Sequence, residues 1–185
     1  TFIDSEPKAV RIKLEHFGRS PGPEQVRAWD DSIPWLQREC RELVAQGVKE
    51  IILLGQIVTS YGRGVIPQRE GKSPFVQLLE AVDALDGLER IRFTSPHPKG
   101  YGDDLVEAYG CLGKLAESAH IPVQSGSDHV LKLMHRGYTR QRFLSLIDKL
   151  RRVQPGIGLS TDFIAGFPGE TEEDFQQTLS LAREV

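Results

Sequence analysis

The sequence predicts an α/β protein built on a parallel sheet, open or curled into a barrel. Three observations predict it. Short apolar or alternating runs recur between longer segments whose apolar residues fall three and four apart, the two periods of strand and helix. Each connection between strand-like runs is long enough for a crossover, as parallel pairing requires. The strand-like runs end in Gly, Pro, Ser and polar residues, at the edge where open α/β sheets and barrels gather ligands.

Taken in order, Val10, Ile12 and Leu14 alternate with Arg11, Lys13 and Glu15, a half-buried strand. A Gly/Pro loop follows from Gly18 to Pro23. The next helix has Ser32 as N-cap, Pro34 early, a stripe of Leu36, Cys40, Leu43 and Val44, and Gly47 as its stop. Ile51 to Leu54 is a continuous apolar run, as a strand buried on both faces should be. Ser73-Pro74 opens a second helix carrying Phe75, Leu78, Leu79, Val82 and Leu85, closed by Gly87. Ile91 and Phe93 form the third strand, and 104 to 115 reads as helix.

Ala119 to Val123 is the fourth strand, and Thr139 opens a helix with Phe143, Leu146, Ile147, Leu150 and Val153 inward. Ile157 to Ile164 is the fifth strand, and Thr171 to Asp174 resembles a capping box in front of Phe175 and Leu179. The chain stops inside a helical pattern at Arg183-Glu184-Val185, where a βα repeat calls for another strand, so it is expected to be part of a longer protein.

Composition narrows the function. The 185 residues are 39% hydrophobic and 26% charged, an ordinary globular mixture. A net charge of −3, from 23 basic and 26 acidic residues, does not describe a nucleic-acid-coating domain, although a local basic patch would suffice for RNA. No apolar run is long enough to span a bilayer, and the polar start, Thr1 to Pro7, is no signal peptide. Two scattered cysteines, Cys40 and Cys111, suit a reducing, cytoplasmic setting, and both read as buried core thiols.

Four strand tips carry polar groups: Gly55 to Gly62, Ser95 to Pro98, Gln124 to Ser127, and Asp162 with Gly166 to Glu170. Any one of them is ordinary turn chemistry. Four on one sheet edge point to a small-molecule site. The five histidines are scattered and suggest neither a nucleophilic triad nor a metal set; His97 is placed to meet a substrate or solvent, and His120, on an apolar strand, reads as a core histidine. No residue stands out as catalytic or as a metal ligand. Lys132, His135, Arg136, Arg140 and Arg142 form a basic run, most commonly a solvated face; Arg136-Gly137, near the tips, is placed to meet an anionic group such as a carboxylate, and the patch is also compatible with weak RNA contact.

Read together, these blocks resemble the methylthiotransferase branch of the radical S-adenosylmethionine (SAM) enzymes. The resemblance rests on Leu43 to Ile51, Leu54-Gly55-Gln56, Arg92 to Gly100, Ile121 to Asp128, Leu131 to Thr139 and Ser160 to Thr171. It covers the chain from about Cys40 onward. It implies a partial, truncated parallel (β/α) barrel of the radical SAM type over residues 36–185, preceded by a divergent segment, residues 1–35. It further implies SAM across the strand ends, with Gln56 facing the methionine amino group, Gln124 and Ser125 near ribose or carboxylate, Arg136 pairing with the carboxylate, and Asp162, Ile164 and Gly166 flanking the nucleoside.

The implied reaction is radical methylthiolation of C2 of N6-isopentenyladenosine beside the anticodon. The partner is then a tRNA anticodon stem-loop rather than the ribosomal protein modified by a relative. The family's [4Fe–4S] cluster needs a Cys-x-x-x-Cys-x-x-Cys loop, whereas residues 15–23 contain no cysteine. Ile57 also replaces the asparagine that usually follows Gln56. The chain alone is therefore expected to be inactive. The alternatives are a cluster-free barrel binding a nucleoside or a partner, and an ordinary lyase or aldolase barrel with Lys99 as the nearest tip lysine.

Overall fold

The computed structural model describes residues 8–13, 32–94 and 96–185; Leu14, Glu15, the Gly18 to Pro23 loop and Ser95 lie outside them. β1 (Lys8–Lys13), β2 (Val48–Leu54) and β3 (Arg90–Phe93) pair in parallel in chain order. β4 (Ser118–His120) and β5 (Gly158–Ser160) form a second parallel pair. The seam between the two sheets is a single bridge. Ile91 donates its N–H to the Lys114 carbonyl (2.7 Å), and Ala116 donates to the Ile91 carbonyl (2.9 Å).

The fourth and fifth strands are shorter than their apolar patterns suggest, for a visible reason. Pro122 has no N–H to give the ladder. Thr161 bridges the gap with its side chain: its Oγ1 accepts from Val123 N (2.9 Å) and donates to the Ile121 carbonyl (2.7 Å). The backbone ladder then resumes, with Gln124 N donating to Asp162 O (2.9 Å) and Ile164 N to Gln124 O (2.8 Å).

Helices separate the strands: α1 (Ser32–Ala45), α2 (Pro74–Asp83), α3 (Asp103–Cys111), α4 (Asp128–Leu133), α5 (Arg140–Val153) and α6 (Glu172–Glu184). Ser73 caps α2 by accepting from Val76 N, and Thr139 caps α5 by accepting from Arg142 N. The capping box of α6 is present in both directions, between Thr171 and Asp174. Ser32 is the first residue of α1 and shares a 2.6 Å hydrogen bond with the Tyr61 hydroxyl.

One sheet face carries Ile51, Leu53, Ile91, Ala119, Ile121 and Val123, all buried against helical residues such as Phe75, Leu79, Leu105, Phe143 and Leu150. Fully burying one such side chain contributes roughly 1.5–3 kcal/mol. The other face is mixed: Ile52 and Leu54 are only half-buried there, which corrects the expectation of a strand buried on both faces, while Arg90 reaches Glu50 (3.0 Å) and Arg92 donates to Ser118 (2.9 Å). The result is a partial parallel barrel with helices outside and a partly polar lumen. Of the two cysteines, Cys40 is buried, with its thiol pushed up to about 11 mainly by burial. Cys111 is exposed, which corrects the expectation of two core thiols, because it is the last residue of α3 and lies off the helix's buried stripe. Among the described residues no helix is long and apolar enough to cross a membrane.

Candidate functional site

Parallel strands put all their C-terminal ends on one edge, and here the tips close around an open cleft. Its volume is about 430 Å³, and Gln56, His97, His120, Gln124, Arg136 and Asp162 are among its lining. Four of the seven expected site residues, Gln56, Gln124, Arg136 and Asp162, therefore share one cavity.

The other three stand apart from that lining. Ser125 is fully buried; its hydroxyl shares a 3.2 Å bond with Thr178 Oγ1 and accepts from Ser127 N (3.1 Å). It therefore serves the turn, and its hydroxyl does not face the cleft. Ile164 is exposed on the strand extension that carries Asp162, tied to Gln124 through the backbone. Gly166 adopts a left-handed φ of +76° and donates to Glu170 Oε2.

The fourth tip is built with unusual backbone. Gln124 has φ +74°, a conformation that non-glycine residues avoid. Ladder bonds on both sides, to Asp162 and Ile164, hold it there. Gly126 follows because α6 comes too close for any side chain: a Cβ would lie 2.5 Å from the Gln177 carbonyl oxygen. Its N–H donates to Thr178 Oγ1 (2.9 Å). Ser127 then caps α4 and donates to Asp174.

Of the histidines read as scattered, His97 and His120 line this cleft, while His129 and His135 lie outside its lining. His120 lies in the cleft, half-exposed, with Nδ1 2.9 Å from Ser160 Oγ and Nε2 3.3 Å from Asp162 Oδ2. The strand register aligns His120 with Ser160, a pairing invisible in the linear sequence. His129 pairs with Asp174 at 3.0 Å. His97 meets Tyr138 edge-on at 5.5 Å, and its Nδ1 accepts from Lys99 N (3.2 Å). Burial, then Arg136 and Lys99, lower the His97 pKa and favour the neutral ring.

The cleft suits a zwitterionic, adenosyl-bearing molecule. Arg136 offers a cation, Asp162 an anion, and Gln56 and Gln124 two amides, with exposed Ile57 as apolar surface. Among the described residues no acidic side chain pairs with Arg136. An iron–sulfur cluster is not suited. It needs a set of closely spaced thiolates. This chain has two cysteines, one buried within α1 and one at the C-terminal end of α3, where a βα unit runs away from the strand tips. Among the described residues no three His, Cys, Asp or Glu side chains gather as a metal site.

Residues 16–182 match the family model described as the radical SAM superfamily, and the chain belongs to that superfamily. Curated relatives carry the name tRNA-2-methylthio-N(6)-dimethylallyladenosine synthase. The protein of that name from Opitutus terrae is 56% identical over 163 residues, 88% of this chain and 33% of that protein. The one from Methylacidiphilum infernorum is 54% identical over 164 residues, 89% of this chain and 34% of that protein. The chain thus spans about a third of the length of the relatives it matches. The cobalamin-dependent SAM radical enzyme OxsB has a similar fold, with a TM-score of 0.61 at 16% identity, over 81% of this chain and 22% of that one.

Proposed function

We propose that this chain is the SAM-binding barrel portion of a tRNA methylthiotransferase. The substrate class is tRNA bearing N6-isopentenyladenosine beside the anticodon, and the reaction places a methylthio group at C2. That setting is cytoplasmic. The single observation carrying the reading is the convergence of Gln56, Gln124, Arg136 and Asp162 on one cleft. The names of the relatives support tRNA over a ribosomal protein.

SAM, when bound, supplies the radical chemistry of the superfamily; the residues of this chain hold and orient it. Arg136 takes the carboxylate by charge-assisted hydrogen bonds. Gln56 lies toward the amino group. Gln124 and Asp162 offer an amide and a carboxylate to ribose hydroxyls, and Ile164 packs against adenine. With no thiolate set in its sequence, this chain by itself binds without turning over, which also makes it a nucleoside-binding module when isolated. Isothermal titration with SAM tests the assignment. Saturable heat that is lost in Arg136→Ala supports it, and an absence of heat at millimolar SAM removes it.

A further inference from the structure

We propose that Lys99, held over Gly137 beside Arg136, seats a phosphodiester group of the RNA strand whose target base enters the cleft. The inference rests on the RNA reading above and adds the anchor for the backbone of that strand. Two chain segments make the seat. After α4, Arg136 N bonds back to the Leu131 carbonyl (3.0 Å) and His135 N to the Lys132 carbonyl (3.0 Å), with His135 left-handed at φ +55°. This turn brings Arg136 to the cleft and Gly137, at φ +65°, to the neighbouring groove.

From the third tip, Lys99 extends across Gly137 so closely that a Cβ there would fall 2.3 Å from Nζ. Gly137 thus leaves open the space that the ammonium uses.

Two cations are therefore brought to one rim, and among the described residues neither has an acidic partner. Like charges repel, and both raise the cost of protonating His97 beside them. With Arg136 committed to the SAM carboxylate inside the cleft, Lys99, over Gly137 and outside the cleft lining, is the cation left for an RNA phosphate. On the far side of the same turn an open groove carries Lys132 opposite Asp128, so the unpaired positive charge of this rim is confined to Lys99 and Arg136. A chain with net charge −3 gathers cations here locally. SAM occupies the cleft of about 430 Å³, so the target base approaches it from the open side, where Lys99 meets the backbone that carries the base. Phosphate contacts of this kind fix register without reading sequence.

The probe is a fluorescein-labelled RNA stem-loop with an adenosine-rich single-stranded loop, titrated by anisotropy against the full chain at several salt concentrations. Lys99→Gln is expected to weaken RNA binding severalfold and to reduce the salt slope by about one phosphate contact. Its SAM titration should remain as in wild type, which separates this proposal from the cofactor assignment. Lys49→Gln, on the opposite rim near Gly87, should leave RNA binding unchanged. An unchanged affinity and slope in Lys99→Gln overturns the proposal, as does wild-type chain that fails to bind the RNA. Equal, Lys99-dependent affinity for adenosine 5′-monophosphate would reassign the seat to a free nucleotide.

Discussion

Ser127 donates its hydroxyl to Asp174 across 2.5 Å, and that bond ties the fourth strand tip to the first turn of α6. Asp174 also accepts from His129, from Thr171 N and from the Thr171 hydroxyl. These donors, Ser127 foremost, hold its carboxyl far below the usual carboxylate range. The ionised form is thus favoured in the native state. The stability it confers is present above about pH 4 and is lost as pH falls toward the native-state value. Asp174→Asn should therefore lower the midpoint of thermal unfolding clearly at pH 7, and the gap to wild type should narrow by pH 3. Melting curves across that range check this, and a gap of constant size defeats it.

Gln124 occupies left-handed backbone at φ +74° while its side chain lines the cleft. A non-glycine residue there costs on the order of 1–2 kcal/mol, comparable to the entropy that glycine would lose on folding. Gln124→Gly should therefore keep the unfolding midpoint close to wild type while weakening SAM severalfold. Denaturant titration beside calorimetry separates the two effects. Stability falling together with affinity would assign Gln124 to the scaffold.

Much of this was legible in the sequence. The alternation of strand and helix and the Ser73, Thr139 and Thr171 caps follow from period and turn chemistry, whereas the seven cleft candidates come from the family resemblance, and four of them line one cleft. The partner of Ser125 was not legible because a serine at a tip looks the same whether its hydroxyl meets a ligand or, as here, Thr178 on a helix 53 residues away. His120 was taken for a core histidine because strand register, which aligns it with Ser160, is set by pairing and not by local sequence. The proximity of Lys99 to Gly137 depends on two loops meeting, and no single segment encodes it.

Asp162 is exposed despite its 3.3 Å contact with His120. Ion pairs of such exposure contribute about 0–1 kcal/mol. Asp162→Asn should therefore leave the unfolding midpoint almost unmoved and act on SAM affinity instead. A large stability loss with unchanged affinity would make the pair a structural strut between β4 and the segment that follows β5.

His97 titrates in the opposite sense to a histidine with an acidic partner. Burial comes first, then Arg136 and Lys99, and together they lower its pKa below 6.5. The unfolded chain then binds more protons than the native one as pH falls through 6.5, so stability declines toward pH 5. His97→Gln should flatten that part of the profile. Chemical denaturation at pH 7.5 and 5.5 reads the effect, and parallel slopes for the two proteins count against it.

The cysteine inventory makes the sharpest demand. Cys40 is buried in α1 with its thiol pushed up to about 11, so at neutral pH it stays protonated and closed to iron. Cys111 is exposed but alone, at the end of α3 away from the strand tips. One accessible thiol per chain cannot hold a cubane that takes a set of thiolates. Anaerobic reconstitution with iron and sulfide should therefore leave sub-stoichiometric iron after desalting. SAM with dithionite should give no 5′-deoxyadenosine, and alkylation of Cys111 should remove whatever iron remains. If the chain retained a full cluster and cleaved SAM, the donors would have to come from oxygen or nitrogen ligands, and the picture of a barrel that binds its cofactor without turning it over would be wrong.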